Sequence, residues 1–365
     1  MANKTITQLP LQTGITDNDL LAIVDSGETT TSKIKVSTLL SAAGGGGGKF
    51  IDAGGFNSIA NNYYSSTNIG SGSEYSQLLG GSGNTITTDP NFTQIIGGYD
   101  NDISGNSSRP VNTILGSYSS NISSNLGGFG CSIIGGHDHL LDRATESSIL
   151  GGNTNTVNDN NSWASAIVGG QGNYCAGGQS GVFAGQSNNQ QGQRSVILGG
   201  ESNLQTSAGD WSGILGGNSN TVSSTRSAII GGLNNNVSGL ESVVVGGNQN
   251  DCLGPVSGVF AGAGNDITGG QFCAILAGNV NDINSNAAFS CIIGGTANVT
   301  DHYRSVVVGG TGLSTAQNDE VVVPDLRFPN YASMNFNNDV AAAAGGVLLG
   351  QVYHNAGDLR IRITW

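Results

Sequence analysis

Few residues in this 365-residue chain have the types and spacings that perform chemistry. The four histidines supply one compact group, His137 and His139 in "HDH". Alternate residues of a strand share a face, so these two imidazoles are candidate metal ligands, six of which could meet on the axis of a trimer. The plainer reading is that His139 replaces an Asn found at the same slot in other units. Asp and Glu sit scattered at turns ("TDPN", "NDNN", "GDWS") with no recurrent acidic pair of the kind that cleaves polysaccharide. A pair assembled across coils or chains stays open, but no catalytic residue is assigned and no enzyme is expected. Five cysteines are odd in number and lack close CxxC pairing, so they read as buried free thiols. Glycine is abundant, yet no GxxxxGK[ST] is present and no helix follows the glycine pairs, which excludes a phosphate cradle. Two tryptophans stand beside polar residues, Trp163 in "VNDNNSWAS" and Trp211 next to Asp210 in "TSAGDWSG". Each reads either as a platform for a sugar, a receptor-type contact, or as a lid over a corner of the core.

What positions these residues is a repeat. Aligning the chain on its glycine pairs gives "SAIIGGLNNNV", "SVVVGGNQNDC", "SVILGGESNLQ" and their relatives, with the first glycine slot at 80, 97, 116, 135, 151, 169, 184, 199, 216, 231, 246, 261, 277, 294 and 309. A fixed signature every 15 to 19 residues marks a solenoid in which each unit is one coil. The expected fold class is all-β, a parallel β-roll of about 15 coils. Both residues before the glycines are apolar in every unit, as in Ile229 and Ile230 or Val244 and Val245. Neighbouring strand residues point to opposite faces, so both faces need cover, and a coil interior covers one. The other face calls for further copies of the chain about a symmetry axis, and these four residues are the candidate trimer-packing positions. Four residues after the first glycine, Asn recurs in 12 of the 15 units, including Asn220, Asn235, Asn250 and Asn265, which predicts a stacked amide ladder. Extra residues in the longer coils, where both tryptophans lie, must bulge from the stack.

The units "SVVVGG", "SAIIGG" and "SVILGG" resemble the S-x-x-x-G repeats of trimeric adhesin head domains over roughly residues 80 to 312. That resemblance implies a β-roll in each chain and three rolls about one axis, although the coils here are longer and carry an additional N-x-V element.

The two ends differ in kind. Residues 1–43 read as strand, turn, strand and short helix, and "ITDNDLLAIVDSGETTTSKIKVSTLL" resembles the N-terminal attachment segment of tailed-phage fibre and appendage proteins. Lys33 and Lys35 are the virion-attachment candidates that this resemblance implies. Five glycines within 44–49 form a flexible linker, residues 50–318 are the repeat domain, and 319–365 form a C-terminal module ending in the alternating strand "LRIRITW". The stretch "NDVAAAAGGVLLGQVYHNAGDLRIR" is similar to C-terminal ends of phage virion proteins.

Composition narrows the function. The net charge is −13, and no lysine occurs between Asp52 and Asn318, which argues against nucleic-acid binding. The start of the chain lacks the apolar run of a secretory signal, and no stretch approaches a membrane span, so a protein made in the host cytoplasm is expected, with no membrane insertion. No cofactor is expected. These features together lead to the expectation of a homotrimeric fibre of a tailed-phage virion, anchored by its N-terminus to tail, neck or capsid and contacting a host-surface glycan or protein. The alternatives are a depolymerising tailspike, a capsid-decorating head fibre without a receptor role, and a cellular trimeric adhesin, against which the missing signal speaks.

Overall fold

The computed structural model describes residues 20–23, 32–35, 50–52, 59–61, 68–69, 76–87, 92–105, 111–123, 130–158, 163–325, 334–348, 351–356 and 358–361. The protein is all-β, a parallel β-solenoid of about 14 turns with almost no helix. Each turn contributes a short strand before the glycine pair to a first parallel sheet and a short strand after the Asn to a second. The second sheet contains 15 strands, from Asn68–Ile69 to Val299–Thr300. A third ladder of single bridges runs through the residues that follow the glycines, from Ser82 to Thr311. The last signature unit, at Gly309, makes only a bridge from Val299 to Ser314 in place of a second-sheet strand. At the opposite end Phe50–Asp52 pairs antiparallel with Ile59–Asn61 and covers the first sheet's edge.

The coil beginning at Ser227 shows why the sequence closes in this way. Ser227, Ile229, Asn235 and Val237 are buried, whereas Ala228 and Asn236, one position along each strand, face outward. The interior is therefore four stacked rows, two apolar and two polar. The residue two before the first glycine is fully buried in every turn from Leu78 to Val307, and burying such a side chain contributes about 1.5–3 kcal/mol. Cys175, Gln190, Gln205 and Cys252 occupy the second apolar row, where Gln205 Nε2 donates to the Gly209 carbonyl at 2.5 Å. Cys131 and Cys273 stand in the serine row, and each Sγ donates to a backbone carbonyl at 3.1 Å.

The polar rows join turns through side chains. Asn235 Oδ1 accepts the backbone N–H of Asn250 at 3.0 Å and its Nδ2 at 3.2 Å. Asn235 Nδ2 donates to the Gly231 carbonyl in its own turn and to the Gly247 carbonyl in the next, at 3.1 and 3.2 Å. Asn220, Asn250 and Asn265 repeat this arrangement. In the other row, Ser227 Oγ donates to the Gly239 carbonyl at 2.8 Å and accepts the Ser242 N–H at 3.2 Å. The buried side-chain polar atoms of Ser227 and Asn235 are thus all paired, as a low-dielectric interior requires.

The two glycines of a pair differ in what confines them. Gly232 has φ +96°, and a Cβ there would stand 2.3 Å from the Gly247 carbonyl oxygen and 2.4 Å from Asn235 Nδ2. Gly231 faces open space, which explains why alanine takes the first slot at 184, 261 and 277. Ser117 is the one departure at the second slot, and it occurs where Asn gives way to Ser120. The smaller Ser120 leaves room, and Ser117 Oγ donates to Asn101 Oδ1 at 2.8 Å, continuing the relay by another atom.

Outside the solenoid, Leu20–Ile23 and Ser32–Lys35 pair antiparallel, while the expected helix before residue 43 and the glycine linker at 44–48 lie outside the described residues. The short helix α1 (Asp339–Ala344) is capped by Asn338 Oδ1, which accepts the Ala341 N–H at 2.9 Å. It is followed by a hairpin of Val352–Asn355 and Asp358–Ile361, and residues 362–365 of the expected terminal strand lie outside the described residues.

Two outcomes test this account by thermal unfolding. Gly231→Ala is expected to change stability by less than about 1 kcal/mol, and Gly232→Ala to cost more than about 2 kcal/mol, because left-handed backbone and a carbonyl contact both oppose its Cβ. Asn235→Leu removes the acceptor of the Asn250 N–H and the donor to two carbonyls, and is expected to cost about 1–3 kcal/mol for each group left unpaired.

Candidate functional site

The outward-facing residues are those available for function, and they also fall in rows. The residue directly before the first glycine is a large apolar side chain in every coil. From Ile96 to Ile293 these side chains are 36–51% exposed, apart from the more covered Val245. This outer row corrects the assignment of trimer-packing positions. Ile229 and Val244 lie inside their own coil at 0% exposure, so of the four candidates only Ile230 and Val245 face out. Two residues earlier runs a row of smaller side chains whose sizes complement the first. Phe183 follows Gly181, Phe260 follows Gly258, and in both cases the ring edge lies over the glycine.

His137 and His139 do not share a face, contrary to the expectation from strand alternation. Asp138 between them has φ +54°, which breaks the pleat. His139 points inward at 1% exposure in the Asn slot, where its Nδ1 accepts the Asn155 N–H at 3.2 Å and its Nε2 has no hydrogen-bond partner. Burial lowers its pKa. His137 stands outside, paired with Asp138 at 2.8 Å and stacked on Tyr118, which in turn stacks on Tyr99. The structure therefore does not bring the two imidazoles to one metal site.

Trp163 and Trp211 are 47% and 58% exposed and so do not lid the core. They are three coils apart, roughly 14 Å along the stack at about 4.8 Å per coil, and occupy adjacent rather than identical slots. The Arg194 guanidinium lies 4.7 Å from the Trp211 ring and covers one face of it. Asp210, the third receptor-contact candidate, accepts the Gln193 N–H at 2.8 Å and is engaged in holding the turn. Lys33 and Lys35 lie in the strand Ser32–Lys35, opposite Ala22 and Leu20, and their side chains lie outside the described residues.

Sequence reading missed one cluster. Asp251, Asp266 and Asp282 stand on consecutive second-sheet strands in register, so three carboxylates form a column on the outer side. Asn236 precedes them and Val299 follows in the same row. Oδ1 of Asp266 and of Asp282 are buried without a hydrogen-bond partner. Burial, then the neighbouring carboxylates of Asp282 and Asp251, pushes the Asp266 pKa up to about 6. Burial also raises Asp251 and Asp282, the latter reinforced by Asp301. The signal was present in "NQNDC", "AGNDI" and "NVNDI", where Asp takes one coil slot three times running.

The thiols of Cys175 and Cys252 are pushed up to about 12 by burial, which makes them inert. Cys291 differs in position, being partly exposed on the outer face of the first sheet between Ala274 and Val306. Among the described residues no helix is long and apolar enough to cross a membrane. No protein-family model matches the chain, and no curated protein matches it.

The aspartate column makes stability depend on pH with a defined sign. A carboxyl whose pKa is raised on folding favours the folded state when protonated, so its contribution is complete below the unfolded value near 3.9 and is lost as pH rises through about 6. His139 acts oppositely, because its lowered pKa withdraws stability as pH falls below about 6.5. Asp266→Asn isolates the first effect. The expected outcome is a higher Tm than wild type at pH 7.5 and little difference at pH 4, measured by thermal unfolding in matched buffers.

Proposed function

We propose that this chain is the structural fibre protein of a tailed-phage virion, a homotrimer anchored by residues 1–43 and contributing to recognition of the host surface. The observation that carries the assembly is the outer apolar row. A protein that worked alone in water would not expose one large aliphatic or aromatic side chain per coil along its whole length. The row carries no charge and recurs at the strand spacing, so a partner with the same spacing covers it best, and further copies of the chain supply that partner. The virion role is supported by the resemblance of the N-terminal segment to phage fibre and appendage proteins and of the C-terminal stretch to phage virion proteins. The paucity of charge along the solenoid sides leaves the exposed Trp163 and Trp211 and the C-terminal module as the distinctive surface for a host glycan or protein.

A depolymerising tailspike is the second reading, and the Asp251–Asp266–Asp282 column favours it. Carboxylates on adjacent strands are near the separation that retaining glycosidases use, about 5–5.5 Å, and a carboxyl with pKa near 6 suits a general acid. A reducing-end assay on host capsule or lipopolysaccharide separates the two. The fibre reading expects no release of reducing ends, and release that Asp266→Asn abolishes would establish the tailspike.

For the assembly itself, Ile230→Asp is expected to yield a folded but monomeric chain, since an unpaired charge in a buried contact costs several kcal/mol. Light scattering on wild type and variant checks this. For the anchor, a chain lacking residues 1–43 is expected to remain trimeric and to compete with phage for host cells, yet fail to enter particles. Loss of competition would leave a head fibre or other decorative fibre without a receptor role.

A further inference from the structure

We infer, resting on the trimer reading, that the copies are held together chiefly at one short zone, the coils from Val256 to Ile293, and that what covers this zone is a second copy of the chain. Along most of the solenoid the outer face is two rows wide. The corner residue that precedes it is large and apolar at Phe92, Val111 and Trp211, never in three successive coils, and is charged in Arg194, Arg226 and Glu241 and again in Arg304 and Asp319. Between these, the corner residues are Val256, Phe272 and Phe289. The chain then places three outward residues at i, i+2 and i+4, as in Val256, Gly258 and Phe260 or Phe272, Ala274 and Leu276, each within roughly 7 Å of the next. In the third coil, Phe289, Cys291 and Ile293 continue the pattern. The apolar face is therefore three rows wide here and carries no charge.

The zone has the anatomy of an interface. The large side chains in it are 39–49% exposed. Along the corner row it is bounded by two exposed ion pairs, Arg226–Glu241 above and Arg304–Asp319 below, each at 2.6 Å. An apolar centre with a charged rim is the arrangement found at specific protein contacts. Phe272 and Phe289 stack on each other with centroids 4.9 Å apart, and Phe289 meets Tyr303 edge to face at 5.4 Å. Stacking uses ring faces that a sugar would need and leaves edges, which suits an apolar protein surface. Half-exposed aromatics of 150–250 Å² each, with their aliphatic neighbours, offer on the order of 500 Å² per copy. Two copies together then bury about 1,000 Å², the lower bound for a specific contact. The zone is continuous with the outer row, so the copy that covers the row also reaches it.

The test compares two variants of the full chain that each remove one half-exposed phenylalanine ring: Phe289→Ser inside the zone and Phe183→Ser in the two-row part. Size-exclusion light scattering over a dilution series gives the concentration of half-dissociation, with circular dichroism as the control for folding. Phe289→Ser is expected to raise that concentration at least about 30-fold, and at least tenfold more than Phe183→Ser does. A smaller difference, or the reverse order, with wild type trimeric, overturns the inference and leaves the trimer reading standing. Wild type that is monomeric at every concentration overturns the reading, and the inference with it. Should Phe289→Ser not fold, Phe272→Ser is read by the same criteria.

Discussion

The solenoid depends on the amide relay at the corner after each glycine pair. An Asn there accepts the N–H of the Asn one turn on, while its own amide group holds carbonyls of two turns. That arrangement fixes turn spacing and turn angle together, and it demands that the second glycine keep φ positive with no Cβ against the next turn's carbonyl. The short strands follow from it. With two or three residues on each side of a coil, no strand is long enough to pair stably alone, and the order of the stack comes from side chains repeated in register.

The fold was legible because the constraint repeats. Every unit must satisfy the same corner, so Asn, the second glycine and the paired apolar residues recur, and the exception at Ser117 occurs together with Ser120 because the two share one space. Which of two adjacent apolar residues faces inward was not legible from their types, since Ile229 and Ile230 are chemically alike and only the phase of the coil separates them. His137 and His139 were misplaced for a backbone reason. Alternation holds within a strand, and Asp138 is a corner residue in the left-handed region. The aspartate column was missed because in the sequence its members are 15 and 16 residues apart, whereas the coil brings them into adjacent register.

The same repetition shapes the surface. A slot that must be occupied in every coil becomes a row, and a row of one residue type amplifies whatever that residue does singly. Large apolar side chains repeated before the glycines give a continuous apolar edge. Aspartate repeated after the Asn gives carboxyls that hinder one another's ionisation, with Asp266 between two neighbours carrying the largest shift. Where one residue is out of keeping, as His139 is in the amide row, a single polar atom is left without a partner inside the wall.

Stacked β-coils present open edges on which any further strand could add, which is the geometry of indefinite fibril growth. Here both ends oppose it. The antiparallel Phe50–Asp52 lies across the edge of the first sheet, where a parallel coil would otherwise dock. At the other end Leu313 takes the Asn slot; its N–H is received by Asn298 Oδ1, but its side chain offers no acceptor to a following turn. A following coil is thereby opposed at both ends, while the flank stays open.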